Sequence, residues 1–329
     1  MHCLCVIVPK ERAEEIRQKL VDDGVMLEHT KVRREGDLVY FPVKRQVHIE
    51  GCAMGSGEFE IIRRKSYDDA LRERGIHIDS ISLDLIGDIA VIRLQEESCA
   101  KEVAQAIMET NPHVRTVCLD RGVEDDFRVR KVEVVAGERN TETIHREHGI
   151  RMKVDVARVY FSPRLSSERM RVAKKIEHNA TVIDMFAGVA PFCLYIAKFS
   201  HPKKIYAIDK NPHAVRYARE NVLMNKKEDI IEVIEGDARD VMGRLPQADH
   251  IIMNLPHQSH EYLSHALQKG KHIHYYEIME KERIEERVRQ IVKESAQGGY
   301  SVNAGEVRVI GSYSPSKVKV AMDLEVKHF

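Results

Sequence analysis

The sequence predicts an α/β chain: a parallel sheet with right-handed crossovers in its C-terminal part, preceded by a small α/β module and an α+β middle section. Apolar strands alternate with amphipathic helices from residue 179 onward, a pattern that builds a parallel sheet. Asp184, Asp209, Asp237 and Asn254 each close a strand in that region. Two late apolar runs flank Pro315 and supply an antiparallel edge. The chain divides on this reading into residues 1–65, 66–178 and 179–329.

The elements follow in order. Leu4 to Val8 is a strand ended by Pro9. Ala13, Ile16, Leu20 and Val21 stripe a helix that Gly24 stops. Asp37 to Val43 is a strand, Gly51 to Gly57 a flexible loop, and polar Arg63 to Arg74 a linker. Leu83 to Leu94 forms a hairpin around Gly87. Val103 and Ile107 mark a helix stopped at Asn111-Pro112, and Val114, Thr116 and Cys118 alternate as a strand. Met152 through Phe161 reads as another strand, broken at Pro163, before a helix from Ser167 to Lys175. Thr181 to Asp184 is a strand entering a turn with Gly188. Lys204 to Ile208, Ile230 to Ile234, His250 to Met253 and Lys271 to Ile278 are the next strands. Asn211 caps a helix with Pro212 in its first turn, and Ile284, Val288, Ile291 and Val292 stripe the last helix.

Composition narrows the class. The chain has 329 residues, 43% hydrophobic and 32% charged, which is globular rather than disordered. No apolar run approaches the ~18–20 residues of a membrane span, and the first residues lack the basic start of a secretion signal. The chain is expected to be cytoplasmic, with no membrane partner. Charge is balanced at 52 basic and 52 acidic residues, but residues 125–175 hold 13 Lys and Arg against 8 Asp and Glu, a stretch that can meet phosphates. The six cysteines form no CxxC pair, so reduced thiols are expected. His260-Glu261 and His265 miss the HExxH spacing by one residue, which puts the two rings on different helix faces; His145 and His148 remain a weak ligand pair. No metal-ligand set is assigned.

Ligands of open α/β sheets bind beyond the carboxyl ends of the strands. An acid ending the second strand, Asp209, can accept hydrogen bonds from both hydroxyls of a ribose. The turn after Asp184 has one glycine and no GxGxxG, a poor cradle for pyrophosphate. That disfavours NAD and suits S-adenosylmethionine, which carries no phosphate. Singly, each of these acids reads as a helix cap or loop residue; together, in order at strand ends, they read as a nucleoside site. Asn254-Leu255-Pro256 offers a carboxamide to a flat heterocycle, which suits a nucleobase to be methylated.

Several motifs taken together resemble the archaeal tRNA (guanine-37-N1)-methyltransferases. They are Asp184-Met185-Phe186-Ala187-Gly188, Ile208-Asp209-Lys210-Asn211-Pro212, Asn254-Leu255-Pro256, His274-Tyr275-Tyr276, and the run from Tyr160 to Arg169. The resemblance covers nearly the whole chain. It implies a class I methyltransferase (Rossmann-like) domain over 179–329, a cofactor bent in a deep pocket, and an N-terminal module that docks on the body of the tRNA. It places cofactor contacts on Arg169, Asp209, Lys210, Asp237, Ala238 and Asn254, with Tyr160, Arg164 and Phe186 lining the same pocket. It places the general base on Glu168 and the arginine that holds the guanine oxygen on Arg128, in Phe127-Arg128-Val129-Arg130. Ala190 departs from the pattern, because relatives commonly carry a second glycine there.

The chemistry agrees with those roles. Guanine N1 holds a proton at neutral pH, so a base must remove it and a cation must stabilise charge on O6. Without the resemblance, Glu168 reads as an exposed helix residue and Arg128 as a surface charge. The expected activity is S-adenosylmethionine-dependent methylation of guanosine 37 in tRNA by a monomer; whether Mg2+ assists is left open. Methylation of a wyosine precursor at the same position is the neighbouring alternative, and Leu255 leans away from it. A non-catalytic RNA-binding protein is the other, and the intact Asp209, Asp237 and Asn254 argue against it.

Overall fold

A computed structural model describes residues 1–27, 29–61, 65–124 and 129–328. The chain forms two compact units, Met1–Ile76 and His77–Phe329.

In the first unit, β1 (His2–Pro9), α1 (Ala13–Asp22), β2 (Arg33–Glu35), β3 (Leu38–Pro42) and β4 (Ala53–Glu58) make an antiparallel sheet in the order β2-β3-β1-β4, with α1 on one face. Ile16 and Leu20 of α1 join Val6, Val8 and Phe41 in its core, whereas Val21 turns out to solvent. Two sequence expectations fail here. Gly51 to Gly57 is not wholly a loop, because Ala53–Glu58 pairs along β1. Gly55 lets the strands close: a Cβ there would lie 2.9 Å from Ile7 Cδ1. The expected linker contains α2 (Tyr67–Glu73), begun by a capping box between Ser66 and Asp69 that the polar composition concealed.

The second unit opens with β5 (Ile81–Ile86) and β6 (Ile89–Leu94), the hairpin around Gly87, whose φ is +58°. Then come α3 (Ala100–Thr110), β7 (Thr116–Glu124) and β8 (Val129–Gly137), giving a sheet in the order β5-β6-β7-β8. β9 (Glu142–Glu147) and β10 (Ile150–Asp155) form a hairpin. β8 and β9 were not foreseen. β10 stops at Asp155 rather than reaching Phe161, because Asp155 Oδ1 accepts from the Ala157 N–H at 3.0 Å and turns the chain. Val156, Val159 and Phe161 are still buried, which explains their strand-like pattern.

The remaining elements are α4 (Ser166–Lys175), β11 (Thr181–Asp184), α5 (Pro191–Phe199), β12 (Lys204–Asp209), α6 (Pro212–Met224), β13 (Ile231–Glu235), α7 (Ala238–Met242), β14 (Ala248–Met253), α8 (Ser259–Lys269), β15 (Gly270–Glu280), α9 (Ile284–Gln297), β16 (Tyr300–Ser312) and β17 (Lys317–His328). They build a seven-stranded sheet in the order β13-β12-β11-β14-β15-β17-β16. The first five strands run parallel, and β17 pairs antiparallel with both β15 and β16, the antiparallel edge that the sequence indicated. The order reverses between β11 and β14, which opens the crevice where such sheets hold ligands. Apolar residues pack both faces of this sheet. Among the described residues no helix is long and apolar enough to cross a membrane.

Candidate active site

The rim is built from strand ends. Asp184 ends β11 and is 1% exposed, with Oδ1 accepting from the Phe186 N–H at 3.3 Å. Burial pushes its carboxyl up to about 7. Asp209 ends β12; its Oδ2 accepts from the Gly188 N–H at 2.7 Å and its Oδ1 from the Asn211 N–H at 2.8 Å. Burial raises its pKa too, partly offset by those two N–H groups. Each carboxylate oxygen keeps a further lone pair for a hydroxyl donor. Lys210 follows, half-buried. The turn between Asp184 and α5 rises against this carboxylate. Gly188 has φ +55° and Ala190 φ +66°, so the alanine that replaces a second glycine sits in the left-handed region, at a cost of roughly 1–2 kcal/mol.

Asp237 caps α7, accepting from the Arg239 N–H at 2.9 Å and from its guanidinium at 2.7 Å, and that arginine holds its carboxyl below the usual range. Ala238 is buried behind it. Arg239 lies over the Tyr262 ring at 4.9 Å, and Phe186 meets the same ring edge-on at 4.9 Å. Asn254 follows β14, and its Oδ1 is buried without a hydrogen-bond partner among the described residues. An unpaired buried acceptor is costly, and one at a strand end suits a ligand's amino group. Tyr160 is 42% exposed, and its carbonyl oxygen lies 3.7 Å from the position a Cβ on Gly188 would take.

The second part of the site belongs to α4. Glu168 is 5% exposed, which excludes the surface-helix reading. Its carboxylate accepts from Arg171 at 2.8 and 3.0 Å, from the Tyr276 hydroxyl at 2.8 Å and from Arg308 at 3.3 and 3.4 Å. Burial raises its pKa, but the Arg171 and Tyr276 hydrogen bonds and the arginine charges outweigh that, so it lies below the usual range. Glu168, Arg164, Arg171 and Arg308 line a cavity of about 480 Å³. Arg164 is drawn to β5, donating to Asp84 at 2.6 Å and Ser82 at 2.7 Å. Arg169 is 1% exposed, paired with Glu147 at 2.5 Å, bonded to the Ser162 carbonyl at 3.1 Å and packed on Phe161 and Tyr195. Arg128 and Phe127 lie outside the described residues.

The structure thus gathers Asp184, Phe186, Asp209, Asp237, Ala238 and Asn254 around one sheet end, and Glu168 with Arg164 around one cavity. Sequence reasoning gave no role to Arg171, Tyr276 or Arg308. Arg308 comes from β16, far along the chain, and has no local motif; Tyr276 lay in a quoted motif without a role. His145 lies on β9 and His148 in the turn after it, so their i, i+3 spacing is not helical; among the described residues no cluster of three or more metal-ligating side chains is formed.

Comparison with known proteins identifies the arrangement. Residues 143–303 match the TRM5/TYW2 methyltransferase domain, 5–49 the tRNA methyltransferase 5 N-terminal domain and 80–141 the TYW2 N-terminal domain. The chain is 38% identical to the tRNA (guanine(37)-N(1))-methyltransferase Trm5b of Pyrococcus abyssi over 98% of its own length and 99% of that relative's. The chain belongs to the tRNA (guanine(37)-N(1))-methyltransferase family. The family resemblance carried by the motifs above is borne out, as is the Rossmann-like methyltransferase fold. A solved complex of aTrm5 and tRNALeu is similar, with a TM-score of 0.71, 31% identity and coverage of 98% of this chain and 100% of that one. So is a TYW2 of Methanocaldococcus jannaschii in complex with AdoMet, with a TM-score of 0.60, 30% identity and coverage of 75% and 100%.

Proposed function

We infer that the chain transfers the methyl group of S-adenosylmethionine to N1 of guanosine 37 in tRNA. The observation that supports this most strongly is the 38% identity, over nearly its full length, to a relative of that activity. The rim fits the cofactor: Asp209 has acceptor capacity for ribose hydroxyls, and Asn254 Oδ1 is a buried acceptor awaiting a donor. Asp209, Lys210, Asp237, Ala238 and Asn254 would hold it, with Phe186 and Tyr160 beside them. Arg169 acts on that pocket through the loop it braces at Ser162, and Arg164 stands at the Glu168 cavity instead. When bound, S-adenosylmethionine supplies a methyl group activated by its sulfonium.

The chain's own residues handle the proton. Glu168 is an ionised carboxylate facing a cavity large enough for a base, with arginines around it. It accepts the guanine N1 proton, and Arg128 donates to O6 as charge develops there. Its acceptor positions are already filled, so the guanine N–H takes the place of the long Arg308 contacts at 3.3 and 3.4 Å. The N-terminal module, residues 1–65 within the unit Met1–Ile76, docks on the body of the tRNA. The enzyme acts as a monomer in the cytoplasm.

Nucleoside mass spectrometry of tRNA transcripts, incubated with the protein and S-adenosylmethionine, tests the reading. 1-Methylguanosine is expected from transcripts with G37 and not from those with another base at 37. Absence of product, or a methylated wyosine precursor in place of 1-methylguanosine, overturns it.

A further inference from the structure

Glu168 is the end of a longer chain of hydrogen bonds. Arg171 holds it, and Asp323 on β17 holds Arg171, accepting at 2.7 and 3.2 Å. Lys175 donates to the same carboxylate at 2.7 Å. Asp323 also meets His274 Nδ1 at 2.8 Å, across the paired strands β15 and β17. His274 Nε2 meets His250 Nδ1 at 3.2 Å, with the ring planes 6° from parallel. His250 Nε2 closes on Glu177 at 2.5 Å, just past the end of α4. The path thus leaves α4 at Glu168 and returns to it beside Glu177. His274 and His250 are 3% and 2% exposed.

Counting protons fixes the charge of this chain. A carboxylate stands at each end and can only accept. Both are held below the usual range: burial raises each, and the hydrogen bonds from His274 to Asp323 and from His250 to Glu177 outweigh it. Each terminal ring nitrogen must therefore donate, and the link between the rings needs one more proton. The two rings share one proton more than a neutral pair would, so the pair carries a single positive charge. Burial disfavours charge on His250, whose pKa is pushed down to about 4.

We propose that His274 is a positioning residue for methyl transfer: by donating from Nδ1 it fixes Asp323, and through Asp323 and Arg171 it fixes the Glu168 carboxylate. Tyr276, two residues on and on the same face of β15, donates directly to Glu168, so one strand face sets the carboxylate twice. The proposal rests on the reading of Glu168 as the base.

Two substitutions separate its halves. In His274→Asn the carboxamide nitrogen replaces Nδ1 and keeps the bond to Asp323; in His274→Gln it replaces Nε2 and keeps the bond to His250. Single-turnover methylation at saturating cofactor and tRNA is expected to slow by roughly 10- to 10²-fold in His274→Gln, the usual cost of a slightly misplaced catalytic group. His274→Asn is expected to recover most of the rate, with cofactor and tRNA affinities unchanged in both. Equal rates for the two variants overturn the proposal, since a merely structural histidine would not distinguish them. Glu168→Gln is run alongside: if it matches the unsubstituted rate, the base assignment fails instead. Nitrogen-15 histidine spectra of the unsubstituted protein test the donation independently. A proton on His274 Nδ1 at neutral pH is expected, and an unprotonated Nδ1 overturns the proposal.

Discussion

Asp184→Asn should stabilise this protein, and increasingly so as pH rises. The wild-type carboxyl is 1% exposed, receives one 3.3 Å hydrogen bond from the Phe186 N–H and faces Cys193 Sγ at 3.5 Å, so little compensates its charge. Burial raises it from 3.8 to about 7, and the nearby charge of Asp209 adds to the rise. The folded state therefore keeps a proton that the unfolded chain has lost. The group's contribution is unchanged below pH 4, becomes unfavourable as pH rises through the interval, and levels off above 7. A shift of about 3 units corresponds to about 4 kcal/mol at most, and relaxation around the charge reduces it toward roughly 2 kcal/mol. Asparagine keeps the shape and the acceptor for Phe186 but never ionises. Thermal unfolding without cofactor, from pH 4 to pH 8, should show the variant and wild type alike at the acid end. The variant should then pull ahead by roughly 2–4 °C for each kcal/mol. An offset independent of pH would refute the reasoning, because packing alone would then explain it. A variant less stable at pH 8 would refute it too, by showing that the native carboxylate is ionised and favourably paired.

Other expectations follow from the site. Asp209→Ala removes the acceptor at the end of β12 and should weaken S-adenosylmethionine binding by roughly 10- to 10²-fold, the worth of a charge-assisted hydrogen bond; calorimetry giving unchanged affinity would remove it from the cofactor site. Glu168→Gln should slow single-turnover methylation by roughly 10²- to 10⁴-fold with binding preserved, as loss of a general base does; a near-normal rate in rapid quench would dismiss it as the base. Removing residues 1–76, a compact unit of its own, should leave cofactor binding intact and weaken tRNA affinity in a filter-binding assay. Lost cofactor binding in that truncated chain would mean the unit serves the active site.

The parallel sheet was legible because its strands are continuous apolar runs, each closed by a polar residue that the fold then uses. Asp209, Asp237 and Asn254 could be placed from sequence for that reason: a strand end is a local feature. What escaped depended on partners distant in the chain. The strand Ala53–Glu58 looked like a loop because Gly55 is there to let β1 approach, and a sequence does not display the approaching strand. The helix Tyr67–Glu73 was hidden by its charge, although Ser66 and Asp69 stood at capping-box spacing. Glu168 itself could not be told from a surface residue, since burying a carboxylate needs cations, and Arg308 arrives from β16.

That same burial decides what a pH profile of the reaction can report. Burial alone would raise the Glu168 carboxyl, but Arg171, Tyr276 and Arg308 more than offset it and hold it below the usual carboxylate range. A group whose folded pKa is depressed is already ionised at every pH where the enzyme would be assayed. A rise in single-turnover rate between about pH 6 and pH 9 therefore cannot come from ionisation of Glu168, whose ordinary value is near 4.3. It must come from the substrate, whose N1 proton becomes easier to remove as pH rises. Glu168→Gln should accordingly lower the rate at every pH while keeping the upward slope. A slope that disappears in the variant would mean that the carboxylate titrates in this range after all, and that Arg308 and Arg171 release it when tRNA binds.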